Sequence, residues 1–269
     1  MFARLADRNE YEPVEANLRE TLKFFSLAND NGKVVESDDL LLISSGINYG
    51  VFNTALLKTR VDSESRLEEY ISQAHAFFGA RGERWSFWVC QELVGPPVMR
   101  RLRRVMEGRR LRMLSEPPGM IAGRLLPPRR SLPALDVRPV VTQQERLAFA
   151  GILSSTFDLP YSICGDIYAL ERSWNGGYRG WVGYVNGEPI VSTACVVAAG
   201  VAGIYSVGTM PSWRRRGYAE QLMRHVLQQI SRETGIERTI LQATNEGFRV
   251  YQKMGYRRVT QFSIFLTEP

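Results

Sequence analysis

Three consecutive arginines, a glycine and a small residue make up the stretch Arg214-Arg215-Arg216-Gly217-Tyr218-Ala219. An apolar run, Val201 to Val207, precedes it, which predicts a buried strand. After it, Ala219, Leu222, Met223, Val226, Leu227 and Ile230 recur at helical spacing, leaving Glu220, Gln221, Arg224 and Gln228 outward. The pattern is strand, basic turn, long helix. A helix start offers about four unpaired amide groups and roughly half a positive charge. Gly217 and the small Ala219 allow close approach to that backbone. The chemistry this favours is the grip of an anion, above all a phosphate group.

Neither common nucleotide loop is present: there is no G-x-x-x-x-G-K-[ST] and no G-x-G-x-x-G. The spacing Arg214-x-x-Gly217-x-Ala219, after an apolar strand and Pro211, closely resembles the acyl-CoA pyrophosphate loop (R/Q-x-x-G-x-G/A) of the GNAT superfamily of N-acyltransferases. A second stretch, Asn245-Glu246-Gly247-Phe248-Arg249-Val250-Tyr251-Gln252-Lys253-Met254-Gly255-Tyr256, resembles that family's other signature, with the asparagine six residues before the tyrosine. The two occur in the family's order, and the resemblance covers about residues 135 to 267.

The resemblance implies a CoA-dependent acyltransferase with acetyl-CoA as co-substrate and no metal. By it, the amides of Arg214, Arg215, Arg216, Gly217, Tyr218 and Ala219 hold the pyrophosphate. Val207, Gly208 and Thr209 hydrogen-bond the pantetheine arm as an added strand, and one strand amide polarises the thioester carbonyl. A primary amine of a small molecule or peptide attacks directly, so no enzyme nucleophile is required. Tyr251 is the expected general acid, because a phenol of ordinary pKa about 10 lies near the roughly 8.5 of a thiol; the bland alternative is packing with Phe248 and Met254. Asn245 either hydrogen-bonds pantetheine or caps a helix. Many family members carry a glutamate on the strand before the loop, but Gly203-Ile204-Tyr205-Ser206-Val207 has no carboxylate. Asp158, Asp166 and Glu171 are weak replacements, and a water chain serves as well. The missing base leaves a second reading open, a catalytically silent acyl-CoA-binding or scaffold protein.

The elements that must position these residues follow from the chain around them. Leu135 to Val140 predicts a strand. Thr142 and Glu145 form a capping box for a helix carrying Leu147, Phe149, Ala150, Leu153 and Phe157. A second helix over Ile163 to Ser173 and an Asn175-Gly176-Gly177 turn come next. Two strands, Gly180 to Val185 and Pro189 to Val197, meet at Asn186-Gly187, a strong hairpin signal. Strand Thr239–Ala243, a helix capped by Asn245, and strand Val259–Leu266 close the chain. The expected fold is α/β (α+β), a GNAT fold with a mixed, mostly antiparallel sheet in the carboxy-terminal half.

Residues 127–133 contain three prolines and mark a junction, which divides the chain into 1–130 and 131–269. The first half reads as a worn copy of the second: strand, helix 65–78, strand 85–89, helix 98–107, Gly108, strand 119–125. Gly108 then corresponds to Gly255, and Met120-Ile121 to Ser263-Ile264. Its turn, Lys58-Thr59-Arg60-Val61-Asp62, has no glycine, and Arg104 falls where Tyr251 would be. The alternative is an unrelated helical cap. A weaker helix is expected over Asn17 to Phe25, with strands at Leu40–Ile43 and Val51–Leu57.

Composition sets outer bounds. The 269 residues are 44% hydrophobic and 23% charged, normal for a chain able to bury a full core. No apolar run approaches the length of a membrane span, and Met1 to Arg8 show no signal segment. Three scattered cysteines and two histidines, His75 and His225, show no metal-ligand spacing. His75 reads as a helix-face residue with a local hydrogen bond. A reducing cytoplasm is the expected setting. The net charge of +6 suits CoA and equally nucleic acid. Seven arginines between Arg100 and Arg112 could form a nucleic-acid face, but no recognised motif accompanies them, so a solvated helix surface is expected. A homodimer is compatible with all of this.

Overall fold

The computed structural model describes residues 9–174 and 177–268; Met1 to Arg8 and most of the expected Asn175-Gly176-Gly177 turn lie outside them. In chain order the helices are α1 (Glu12–Leu22), α2 (Glu64–Gly79), α3 (Pro96–Met99), α4 (Leu102–Gly108), α5 (Gln143–Phe157), α6 (Tyr161–Tyr168), α7 (Tyr218–Thr234) and α8 (Asn245–Met254). The strands are β1 (Lys33–Glu36), β2 (Leu40–Ser44), β3 (Thr54–Leu57), β4 (Ser86–Cys90), β5 (Leu111–Ser115), β6 (Pro118–Ala122), β7 (Asp136–Pro139), β8 (Arg179–Val185), β9 (Glu188–Ala198), β10 (Val201–Thr209), β11 (Thr239–Gln242) and β12 (Arg257–Thr267).

One mixed sheet runs through both halves in the order β1-β2-β3-β4-β12-β6-β11-β10-β9-β8-β7, with β5 also on β12. Parallel pairing occurs twice among the named strands, β3 with β4 and β10 with β11. Each pair encloses one long helix, α2 or α7, as parallel strands require a crossover. The halves exchange their closing strands. The late strand β12 pairs β4 (Phe262↔Cys90, Ile264↔Trp88), while the early strand β6 pairs β11 (Gly119↔Gln242, Ile121↔Ile240). Ile121 and Ile264 thus hold equivalent places, as do Met120 and Ser263, matching the correspondence expected from sequence. β6 and β12 pair with each other at the centre.

Local chemistry explains several element ends. Ser63 caps α2 by accepting from the Arg66 amide at 3.3 Å. Thr142 and Glu145 form the expected capping box on α5. Asn186 and Gly187 take φ of 51° and 81° in the β8–β9 turn. Several expectations need correction. The first helix starts at Glu12, not Asn17, with Pro13 in its first turn. The expected helix over 98–107 breaks into α3 and α4 near Arg100-Arg101. The expected strand 119–125 is β6, which ends at Ala122, and β5 before it was not expected. The edge strand β1, exposed along its whole length, carries no apolar alternation to betray it.

Two apolar layers sandwich the carboxy-terminal part of the sheet. Leu222, Met223, Val226 and Ile230 of α7 and Met254 of α8 bury against one face. Phe149, Ile152 and Leu153 of α5 and Ile167 of α6 bury against the other. The first half also reaches that second face. Phe24 stacks on Tyr178 with ring centroids 4.0 Å apart and lies 5.9 Å from Tyr168.

Candidate active site

The parallel ladder between β10 and β11 is two residues long, Ala202↔Thr239 and Gly203↔Ile240. Beyond Gly203 the strands separate, so the upper part of β10 presents an unpaired edge toward β11. β10 itself is irregular between Tyr205 and Gly208, and Ser206 sits at φ 51°. Val207 and Thr209 are half-buried and Gly208 is buried. A side chain at Gly208 would come within 2.9 Å of Thr156 Oγ1 and 3.0 Å of Ile152 Cγ2, so the glycine lets α5 sit close under the bulge.

The turn after β10 begins with Pro211 to Trp213. Arg215 and Gly217 both take left-handed backbone, φ 63° and 95°. Gly217 is the N-cap of α7, and no side chain caps that helix. The first intrahelical bond runs from the Gln221 amide to the Gly217 carbonyl. The amides of Tyr218, Ala219 and Glu220 are therefore left without an intrahelical acceptor. Arg214, Arg215 and Arg216 are exposed and the turn is open to solvent. Arg214 Nε donates to the Thr209 carbonyl at 3.1 Å, and the Arg216 guanidinium lies 5.2 Å from the Trp213 ring centre.

Tyr251 belongs to the same apolar cluster as Leu241, Ala243, Val207, Tyr218 and Ala219, so the structure gathers the turn, the bulged strand and this tyrosine on one side of the sheet. Its ring folds back over Gly247 of its own helix, where a Cβ would lie 2.7 Å from Cε2. Burial pushes the phenol up to about 12, so the ordinary value used in the sequence reading does not hold. Asn245 does not cap α8. Thr244 does, accepting from the Gly247 amide at 3.2 Å, and Asn245 is exposed at the first helical position.

The opposite face carries the residues that sequence reading missed. Tyr178 Oη and Ser206 Oγ are 2.6 Å apart beneath the bulge, and Ser192 Oγ donates to the Ser206 carbonyl. Asn17 of α1 is fully buried. Its Nδ2 donates to the carbonyls of Val196, Ala198 and Val201, and its Oδ1 accepts from Tyr205 Oη at 2.6 Å. No local pattern could flag it, since its partners lie about 180 residues away. Thr156 Oγ1 and Gln242 Nε2 are buried and unpaired among the described residues.

Among the described residues, β10 itself carries no carboxylate. Asp158 ends α5 in a left-handed conformation, and it, Asp166 and Glu171 are exposed. Asp166 lines a cavity of about 600 Å³ with Gly46 and Ile47 of the first half. All three cysteines are buried, and burial raises their thiols, Cys164 to about 11 and Cys195 to about 12. They are therefore poor thiolate nucleophiles. His75 Nε2 lies 2.9 Å from the Arg109 carbonyl, the local bond expected of it. Of the Arg100–Arg112 set, Arg101, Arg103, Arg109 and Arg112 pair with Glu64, Glu107, Glu68 and Glu268. Among the described residues no group of His, Cys, Asp and Glu could hold a metal ion, and no helix is long and apolar enough to cross a membrane.

Comparison with known proteins defines the class. Residues 147–256 match the model of the acetyltransferase (GNAT) family, a span that contains the bulged strand, the arginine turn and Tyr251. That stretch of the carboxy-terminal half is similar to a GNAT domain. The fold match extends over the whole chain. A GCN5-related N-acetyltransferase from Kribbella flavida is 19% identical, with a TM-score of 0.69 over 94% of this chain and 96% of that one. A conserved protein of unknown function from Staphylococcus epidermidis is 12% identical, with 0.62 over 88% and 94%. A GCN5-related N-acetyltransferase from Sphaerobacter thermophilus is 16% identical, with 0.56 over 86% and 81%. The first half is thus part of a shared architecture. A search of curated proteins finds no match to this sequence.

Proposed function

We infer that the protein is an acetyl-CoA-dependent N-acetyltransferase acting on a primary amine of a small molecule or peptide. The observation that carries this reading is the uncapped start of α7 at Gly217, set beside the strand edge where β10 leaves β11. An anion at the turn would accept from the first-turn amides of α7. The arm behind it would lie along Val207, Gly208 and Thr209 as an extra strand, and Asn245, free of a capping role, could add a hydrogen bond. The thioester would then point toward Tyr251.

In the step itself the neutral amine attacks the thioester carbonyl. A C–N bond forms, the C–S bond breaks, and the charge on the carbonyl oxygen is met by a strand amide. The departing sulfur takes a proton from Tyr251, and the extra proton the nitrogen carries after attack leaves through water, which returns one to the phenolate. Tyr251, raised to about 12, stays protonated at any working pH, and the same dry cluster would raise the thiolate's own proton affinity. The amine loses its proton before attack, through water or one of Asp158, Asp166 and Glu171. The catalytic half in this reading is 131–269, with 1–130 a degenerate GNAT-like partner that walls one face, in a cytoplasmic protein.

The bare β10 favours a second reading, a silent acyl-CoA-binding protein. One experiment separates them. Acetyl-CoA is titrated by calorimetry, and thiol release is then followed across a panel of primary amines. Binding with turnover supports the enzyme, binding without turnover the silent protein, and absence of binding removes both.

A further inference from the structure

The segment that joins the halves passes directly beside the phosphate-type turn. The Leu126 amide donates to the Met254 carbonyl at the end of α8. Four residues on, Arg130 Nη2 donates to the Arg215 carbonyl at 3.3 Å. A Cβ placed on Gly217 would lie 3.2 Å from Arg130 Nη2, 3.4 Å from Pro133 Cδ and 3.5 Å from Leu132 Cδ2. The Arg130 guanidinium is therefore held within contact of the Gly217 backbone, at the positive end of α7.

Charge makes this placement informative. Arg130, Arg214, Arg215 and Arg216 converge on one turn, and none pairs with a carboxylate within 4.0 Å among the described residues. Their nearest partners are backbone carbonyls and an indole ring, none of which cancels charge. Like charges so gathered repel one another and the helix end. A coenzyme with a diphosphate and a phosphomonoester brings about four negative charges, and would offset the repulsion. Three of the four arginines sit in the turn itself; the fourth comes from 84 positions upstream in sequence and has no other evident role in the fold.

We propose that Arg130 is a ligand of the coenzyme diphosphate, so that the inter-half segment closes one side of the phosphate site. The proposal rests on the reading of the Gly217 turn given above. A planar guanidinium suits two oxygens at once, which an ammonium does not match.

The test is calorimetric titration of the full-length protein, its Arg130→Gln and Arg130→Lys variants and Gly217→Val with CoA and with 3′-dephospho-CoA. Arg130 is exposed, so melting temperatures should match and serve as the folding control. The expected result is that Arg130→Gln weakens both ligands alike, about tenfold, with a shallower ionic-strength dependence, and that lysine restores only part of the loss. Unchanged binding of both ligands by Arg130→Gln, with Gly217→Val binding neither, overturns the role of Arg130 and leaves the turn's assignment standing. A loss confined to CoA overturns the diphosphate contact. Failure of the unaltered protein to bind either ligand overturns the underlying reading instead.

Discussion

The two strand-helix-strand units, β3-α2-β4 and β10-α7-β11, occupy matching places and differ at one point. Both parallel ladders stop at the same step, Leu56↔Trp88 in the first and Gly203↔Ile240 in the second. Past that step the first unit closes again. Val61 bridges to Val94, its amide donates to the Leu93 carbonyl at 2.9 Å, and its carbonyl accepts from Gly95 at 2.8 Å. The second unit stays open, with Gly208 and Thr209 paired only to β9. The helix starts differ in the same sense. Ser63 caps the amide end of α2 with its own hydroxyl, while α7 starts behind a left-handed glycine with no side-chain cap. One unit satisfies its backbone internally and so has nothing to offer a ligand. The other leaves its first-turn donors facing solvent, where a ligand can reach them.

The sharpest way to break this comparison is to close the open turn. Gly217→Val forces a branched residue into φ 95° and sets a side chain against Arg130 and Pro133. Acetyl-CoA affinity should fall by about a hundredfold or more (~2.7 kcal/mol), with the far-UV circular dichroism unchanged. Near-normal binding by a folded variant would mean the coenzyme does not use this turn.

Next in size is the tyrosine. Tyr251 faces the open unit, whereas the matching Arg104 of the first half is exposed. Tyr251→Phe should lower kcat at least tenfold, about 1.4 kcal/mol, with KM for acetyl-CoA little altered. Because burial holds the phenol near 12, loss of its proton begins only close to that pH. The kcat–pH profile should therefore show no descending limb from Tyr251 between pH 8 and 10 (about two units below its pKa). A limb in that range that disappears in Tyr251→Phe would contradict the burial argument.

How far the sequence carried this picture depended on how local each cause was. The arginine turn, the Asn186-Gly187 hairpin and the α5 capping box rest on neighbours within a few residues, and all stand in the structure. The match of Ile121 with Ile264 was readable because each lies in an apolar stretch that follows a helix-ending glycine. The exchange of β6 and β12 was not readable. Both strands are apolar on pattern alone, and only tertiary pairing says which ladder each joins. The role of Asn17 was hidden for the same reason: an asparagine in a helix looks neutral until carbonyls from another half arrive beside it. The raised pKa of Tyr251 was hidden as well, since desolvation depends on what packs around the ring.

The helix that bridges both units gives a stability test. Glu15 of α1 is 5% exposed and its carboxyl is raised from an ordinary 4.5 to about 7 by burial, with Arg19 at 3.1 Å only partly opposing. The folded state thus holds this proton more tightly than the unfolded chain. Stability from this group is complete below about pH 4.5 and is lost as pH rises through about 7. Glu15→Gln keeps the neutral form at every pH. Above pH 7.5 or so it should stabilise the fold by about 1–3 kcal/mol, seen as a melting temperature several degrees higher, while near pH 4 the two proteins should converge. An equal gain at both pH values would assign the effect to packing rather than charge.

The smallest effect probes the closed unit directly. Ser63→Ala removes the hydroxyl that accepts from Arg66 at the start of α2. Helix caps of this kind contribute about 1 kcal/mol, so the melting temperature should drop by roughly 2–4 °C in a chain of this size. Freeing those amides should nonetheless create no second coenzyme site, because the Val61–Val94 bridge still occupies the strand edge and no basic glycine turn precedes the helix. Calorimetric stoichiometry should stay at one coenzyme per chain. A second binding event in Ser63→Ala would show that the cap alone silences the first half, and that the bridge across its strands is incidental.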